Sequence, residues 1–228
     1  MVLRRRTRGR DDPASQAGMI ARPNLLAGED LFAPPRQKRS REKRERLKSA
    51  ALALFGQQGY EATSIEQIAA RANLAVGGFY LHFRSKRQLL LVLMDELLEK
   101  LSRLSLALGA GTDPRQLLHE LLSRAFSADL EYLGAYRAWQ EAALSDPILS
   151  RQQQEIHAWT TLRVTAVFQR LHTMPGARSG VDIDGLAQAM DTFFWSLLAR
   201  AAVMPKADLD RSIDSATHLV YHALFRDA

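Results

Sequence analysis

Residues 63–83 read TSIEQIAARANLAVGGFYLHF, and the punctuation of this stretch decides the fold. Thr63 followed by Glu66, and Ser64 followed by Gln67, each match a capping box at a helix start. Behind that start, Ile65, Ile68, Ala69 and Ala72 fall on one side of a short helix. Asn73 closes it, because Asn tolerates the left-handed backbone of a tight turn. A second short helix is expected over 75–81, and Ser85 is placed to cap another that begins at Lys86. Two short helices joined by such a turn make a helix-turn-helix, whose second helix enters the major groove of DNA. Ile65, Ile68 and the small Ala69 pack against the preceding helix, and Leu74 and Phe79 anchor the second helix from its inner side. Ala75, Val76, Gly77, Gly78 and Tyr80 are left near the outer surface. The alternative is three packed helices with no ligand.

Outward from this segment the chain reads as helix nearly throughout. Upstream, Leu47, Ala50, Ala51, Leu54 and Phe55 share one face of a helix over 39–56, ended by Gly56 and Gly59. Its other face carries Arg41, Lys43, Arg44, Arg46 and Lys48. Downstream, Leu89, Leu90, Leu93, Leu97, Leu101, Leu104 and Leu108 predict a long helix over 86–108, broken at 109–112. Asp113-Pro114 and Asp146-Pro147 each restart a helix, with Asp as cap and Pro in the first turn. Residues 174–180 read as a loop. Asp182 or Asp184 opens a helix running to Met204, and after Pro205 a last helix, capped by Asp208, ends near Phe225.

The expected architecture is all-α, with nine helices and no strand. Residues 38–85 form a three-helix helix-turn-helix domain and residues 86–228 a larger helical domain. Residues 1–37 contain Arg4, Arg5, Arg6, Arg8, Arg10, Pro13, Pro23, Pro34 and Pro35 without any helical or strand period. They are read as a disordered basic arm, either following a DNA minor groove or serving as a tail without function.

Composition narrows the function classes. Residues 1–90 hold 18 Lys/Arg against 8 Asp/Glu, whereas residues 91–228 hold 13 against 17. The excess survives removal of the arm, since residues 39–90 still hold 10 against 4. A basic first part joined to a mildly acidic remainder suits a nucleic-acid-binding module attached to a unit with another task. The chain has no Cys, which excludes a disulfide framework, a thiolate zinc site and a cysteine nucleophile. No Gly-rich phosphate loop follows a strand and no Gly-x-Ser-x-Gly elbow occurs, so no catalytic site, enzyme activity or cofactor is expected. The longest apolar run, Leu89–Met94, is far too short to span a membrane, and no hydrophobic segment follows the basic start. A cytoplasmic protein without a membrane partner is expected.

The motif Gly59-Tyr60-x-Ala-Thr-Ser-Ile-x-x-Ile-Ala, followed by Tyr80-x-His82-Phe83-x-Ser85-Lys86-x-x-Leu89, resembles the signature of the TetR/AcrR regulators across residues 39–90. The resemblance implies a homodimer that binds double-stranded operator DNA and is released by a small-molecule effector. It also implies residue roles. Thr63 or Ser64 holds a phosphate at a helix N-terminus, Tyr80 projects into the groove, and His82 and Lys86 hold further phosphates. Phe79 and Phe83 are core, and a satisfied surface histidine is the alternative for His82. The sequence departs from the family pattern at the reading surface. Ala75 offers no hydroxyl cap, Val76 stands where Lys or another polar reader is common, Gly78 replaces a frequent polar residue, and Leu81 replaces Tyr or Trp. Val76 is therefore read as contacting a thymine methyl, with Gly77 and Gly78 allowing close backbone approach. DNA shape or the basic arm supplies the remaining specificity.

In the larger domain, Leu186, Met190, Phe193, Phe194, Leu197 and Ala201 form one stripe, and Ile213, Ala216, Thr217, Val220 and Leu224 another. The family pairs two terminal helices with their copies, which implies an interface through Met190, Phe194, Leu197, Ile213, Val220 and Leu224; an internal hairpin core is the alternative. Tyr132, Tyr136 and Trp139 share a face, as do Trp159 and Arg163. Together they are candidates for an effector pocket, with plain core as the alternative. Asp214, His218 and His222 recur every fourth residue, a spacing that suits either a metal or, the reading preferred here, a surface or interface patch, so no metal site is assigned. The rival to a regulator is a helical ligand-binding or structural protein without DNA-binding activity.

Overall fold

The computed structural model describes residues 21–33, 35–104, 113–201 and 204–226. Within them lie nine α-helices: α1 (Lys38–Gln58), α2 (Ile65–Arg71), α3 (Val76–Tyr80), α4 (Lys86–Ser102), α5 (Pro114–Glu131), α6 (Leu133–Ala143), α7 (Pro147–His172), α8 (Ile183–Ala201) and α9 (Lys206–Leu224). Extended pairing among the described residues is limited to one isolated bridge, Ala177 with Phe225. The arginines of residues 1–20, the expected last turn of α4 over 105–108 and the break at 109–112 lie outside the described residues.

The caps fall largely where the side chains dictate. Asp146 accepts from the N–H groups of Ile148 (2.8 Å) and Leu149 (3.2 Å) at the start of α7. Asp113 does the same for Arg115 and Gln116 before α5. Asp182, not Asp184, opens α8 by accepting from Gly185 N–H. Asp208 is not a cap: α9 begins at Lys206 behind Pro205, and Asp208 lies in its first turn, paired with Arg211. The division between α5 and α6 at Tyr132 carries no Pro and no capping side chain.

α1 runs two residues past its expected end. Gly56 stays helical because it sits against Gly134 of α6, where a Cβ on Gly134 would overlap the Leu52 carbonyl. Arg137 of α6 donates to Gly56 O (2.6 Å) at the same crossing. The helix stops at Gly59, whose φ of 86° lies in the left-handed region. α4 is the central helix. Leu89 through Met94 are all buried, a pattern found only where neighbours cover every face.

Two apolar cores result, and their boundary does not follow the expected division at residue 85/86. The first joins α1–α4 to α6, the first half of α7 and Trp195 of α8. The second joins α5, the end of α7, α8 and α9. Residues 21–33 also differ from the expected disordered arm, lying along α4 and α7 as a strap. Leu25 is buried in the first core, and its carbonyl accepts from Gln152. Arg22 is paired with Asp95 and Glu99 of α4. Glu29 shares Arg87 with Asp146, and Asp30 O accepts from Arg84 and Gln88. Proline content and lack of period gave no sign of these contacts, because one buried leucine and four ion pairs suffice to fix an irregular segment.

Candidate nucleic-acid interface

α2 and α3 meet through a turn that the sequence specifies closely. Ser64 caps α2: its hydroxyl accepts from Gln67 N–H (3.2 Å), and the Gln67 side chain accepts from Ser64 N–H (2.9 Å). The Ser64/Gln67 box is the one used. Asn73, at φ 54°, turns the chain, and Leu74 N–H returns to Ala69 O (2.9 Å). α3 is a five-residue helix with no side-chain cap from Ala75. Phe79 is fully buried and touches Phe83, so the inner side is anchored as expected.

The outer side is apolar and open. Ala75 and Gly77 are exposed, as are Val76 (37%), Tyr80 (48%) and Leu81 (72%); Gly78 is half-buried over Leu74. A Cβ at Gly77 would meet nothing within 4 Å. Leu81, the most exposed of these, was noted in the sequence only as a departure from the family pattern and not as a surface residue.

Three of the residues expected to hold phosphates are buried or otherwise engaged. Thr63 is buried, and its hydroxyl donates to Gly59 O (2.6 Å). Lys86 donates to Tyr60 O (2.6 Å) and Thr63 O (2.9 Å), with its ammonium 4.2 Å from the centre of the Tyr60 ring. Burial lowers its pKa, and Glu61 and Glu141 partly offset this. Lys86 thus ties the start of α4 to the turn before α2. The same turn is held from α6 by Glu141, which accepts from Tyr60 N–H (2.6 Å) and Glu61 N–H (3.1 Å). His82 is 5% exposed. Burial first, then Arg44 and Lys43, push its pKa below the ordinary histidine value, so it is a neutral ring at pH 7. Ser64 remains half-buried at the N-terminus of α2, beside the Glu66 carboxylate.

α1 contributes exposed cations. Arg44 is not among them: it stacks on Phe83 (4.4 Å) and donates to His82 O (2.9 Å). Lys43 is exposed and close enough to affect His82, and Arg39, Lys43 and Arg46 line a surface groove with Glu42. None of these three cations has an ion pair among the described residues. The sequence places Lys43 and Arg46 on the polar face of α1 and does not mark Arg39.

The effector-pocket candidates separate into two groups. Trp159 and Arg163 line a cavity of about 120 Å³ between α4, α5, α7 and α8. Tyr132, Tyr136 and Trp139 do not. Trp139 is fully buried core, Tyr136 stacks on Trp195 (4.8 Å), and Tyr132 donates to Glu96 (3.2 Å). The interface candidates lie on the second core. Met190, Leu197, Ile213, Val220 and Leu224 are buried within the chain's own second core, and Phe194 packs partly buried against it. Of the residues spaced every fourth position on α9, His218 and His222 bring their rings to 4.2 Å, whereas Asp214 pairs with His119; among the described residues no group of three or more His, Cys, Asp or Glu is placed to hold a metal. No helix among the described residues is long and apolar enough to cross a membrane.

Comparison with known proteins agrees with this arrangement. Residues 47–93 match the model of "Bacterial regulatory proteins, tetR family". The HTH-type transcriptional regulator TcmR of Streptomyces glaucescens is 31% identical over 153 residues, covering 65% of this chain and 66% of that protein. The HTH-type transcriptional repressor KstR of Rhodococcus jostii is 34% identical, covering 49% and 58%. Other curated relatives are matched over less, including 30% of the length of the regulator YerO of Bacillus subtilis. Among solved structures, SmeT, the repressor of the Stenotrophomonas maltophilia multidrug efflux pump SmeDEF, superposes with a TM-score of 0.61 at 23% identity, covering 82% of this chain and 94% of that one. This likeness establishes the fold.

Proposed function

Because the chain belongs, through residues 47–93, to the tetR family of bacterial regulatory proteins, we propose that it is a DNA-binding transcriptional regulator, a repressor that a small molecule releases from its operator. The observation that carries this reading is the outer face of α3. Val76, Gly77, Tyr80 and Leu81 project from a helix anchored on its inner side by Phe79, and α1 carries exposed cations, of which Lys43 bears on His82 just past that helix. That face fits the floor of a major groove, with the cations at its phosphate walls.

The contacts are reassigned from the expected set. Val76, Gly77, Tyr80 and Leu81 meet bases, while Lys43, Arg39 and Arg46, with the cap of α2 at Ser64, meet phosphates. Thr63 and Lys86 hold the reading head in shape. One five-residue helix covers too little DNA for tight binding, so two copies act together on two half-sites. With the expected interface residues turned inward, the surface offered to a second copy is the outer side of α9, around Leu219 (65% exposed) and His218. The cavity beside Trp159 and Arg163 is the effector site.

Selection on random duplexes, followed by titration of the selected sequence at several salt concentrations, tests the reading. The expected result is a two-fold symmetric site whose affinity falls steeply with salt. A protein that retains no duplex at low ionic strength is not a regulator of this kind.

A further inference from the structure

The cavity wall has one unusual member. It is otherwise built almost entirely from apolar side chains, including Leu101, Leu118, Leu122 and Phe168, and it also includes Arg163 and Asp191. The two charged residues are not equally satisfied. Asp191 accepts from Trp195 Nε1 (3.2 Å) on one oxygen and faces His157 Nδ1 (3.5 Å) with the other. Arg163 has no carboxylate partner among the described residues. It lies over Trp159 (5.1 Å), and its one engaged nitrogen, Nη2, donates to Leu101 O (3.1 Å) and Leu104 O (2.8 Å). Leu101 lies in the last turn of α4 and Leu104 just past its end, and Leu101 O also accepts from Leu104 N–H (3.1 Å). Among the described residues Nε and Nη1 have no acceptor. Burial lowers the Arg163 pKa with nothing to oppose it.

Resting on the effector reading above, we propose that the cavity takes a small organic carboxylate, held by Arg163 in exchange for its grip on the end of α4. A half-buried guanidinium with donors to spare is complemented by a planar two-oxygen anion through paired charge-assisted hydrogen bonds. The apolar wall covers the body of the acid. A void of about 120 Å³ is comparable with one that admits a single aromatic ring, so the body is one ring or a short alkyl chain. The exchange has a defined consequence, because α4 is one helix with Arg163 at its far end and Lys86 tying its near end to the turn before α2. An acid that draws Arg163 from Leu101 O and Leu104 O loosens the far end of the rod on which the reading head sits.

The test is a tryptophan-fluorescence titration of the full chain with benzoate, phenylacetate and hexanoate, each beside its primary amide. The acid of at least one pair is expected to bind about tenfold more tightly than its amide, as a charge-assisted pair implies. The preference is expected to vanish in Arg163→Gln and persist in Arg163→Lys, and the same acid is expected to lower affinity for duplex DNA. Equal binding or no binding by acid and amide in every pair overturns the proposal, as does a preference that survives in Arg163→Gln. If Arg163→Gln does not fold by circular dichroism, the wild-type ranking of acid over amide decides. DNA binding without any acid is measured separately. A chain that binds duplexes but does not distinguish acid from amide refutes this proposal alone; a chain that ignores duplexes refutes the regulator reading.

Discussion

At Gly77 the helix backbone is regular and a side chain would meet nothing, so nothing within the protein requires a glycine. Helix propensity favours Ala by about 1 kcal/mol. Gly77→Ala is therefore expected to raise stability by about that amount in chemical denaturation while weakening operator binding in fluorescence anisotropy. Unchanged affinity would remove Gly77 from the DNA contact. Lys43 and Lys86 form an opposed pair. Lys86→Met, which removes a charged donor from two carbonyls, is expected to destabilise the fold by about 1–3 kcal/mol. Lys43→Met is expected to leave stability unchanged and reduce the salt slope of DNA binding by about one per half-site. The reverse outcome would restore Lys86 to the phosphate. His82 adds a pH dependence. Its folded pKa lies below the ordinary value, so the unfolded chain binds its proton more readily. Its contribution is complete above the unfolded histidine pKa of about 6.5 and is lost as pH falls from there toward the depressed folded value. Thermal melts of wild type and His82→Gln at pH 7.5 and 5.5 are expected to show a smaller acid-side loss in the variant.

At the scale of elements, α6 does more to place the reading head than its sequence suggests. Its Gly134 admits the Leu52 carbonyl of α1, its Arg137 holds Gly56 O, and its Glu141 holds the turn before α2. Gly134→Ala must push two helix backbones apart, and overpacking of this kind costs about 1–3 kcal/mol; a drop in melting temperature with intact helicity is the expected readout. The helix-turn-helix could be read from sequence because its determinants are local: a cap at Ser64, a left-handed Asn73, and periodic Ile68 and Ala69. The proposed effector cavity was legible only in part, through Trp159 and Arg163, and the proposed dimer surface was not. A stripe such as Met190–Leu197 records that one face is buried, not what buries it, and here the chain's own second core does so. Tyr136 and Trp139 share a stripe for the same reason and belong to the first core. Leu219, the exposed leucine of α9, stands outside every apolar stripe. Leu219→Arg is expected to leave the monomer folded and shift sedimentation toward single chains.

At the scale of the molecule, the strap and α6 hold the reading head from two sides. A chain beginning at Met19 keeps Arg22, Leu25 and Glu29, and with them every strap contact; one beginning at Arg36 leaves Asp95, Glu99 and the Leu25 site uncovered. The first is expected to melt like the full chain, the second several degrees lower by calorimetry. Because one apolar core runs through the head, α4, α6 and part of α7, the DNA-reading unit is not a detachable cassette. A chimera that transplants residues 38–85 from a relative would inherit a socket shaped for another plug, with Gly134, Glu141 and Leu25 facing foreign side chains. Exchange of operator preference in this scaffold therefore calls either for grafting α3 alone or for moving the strap and α6 together with the head.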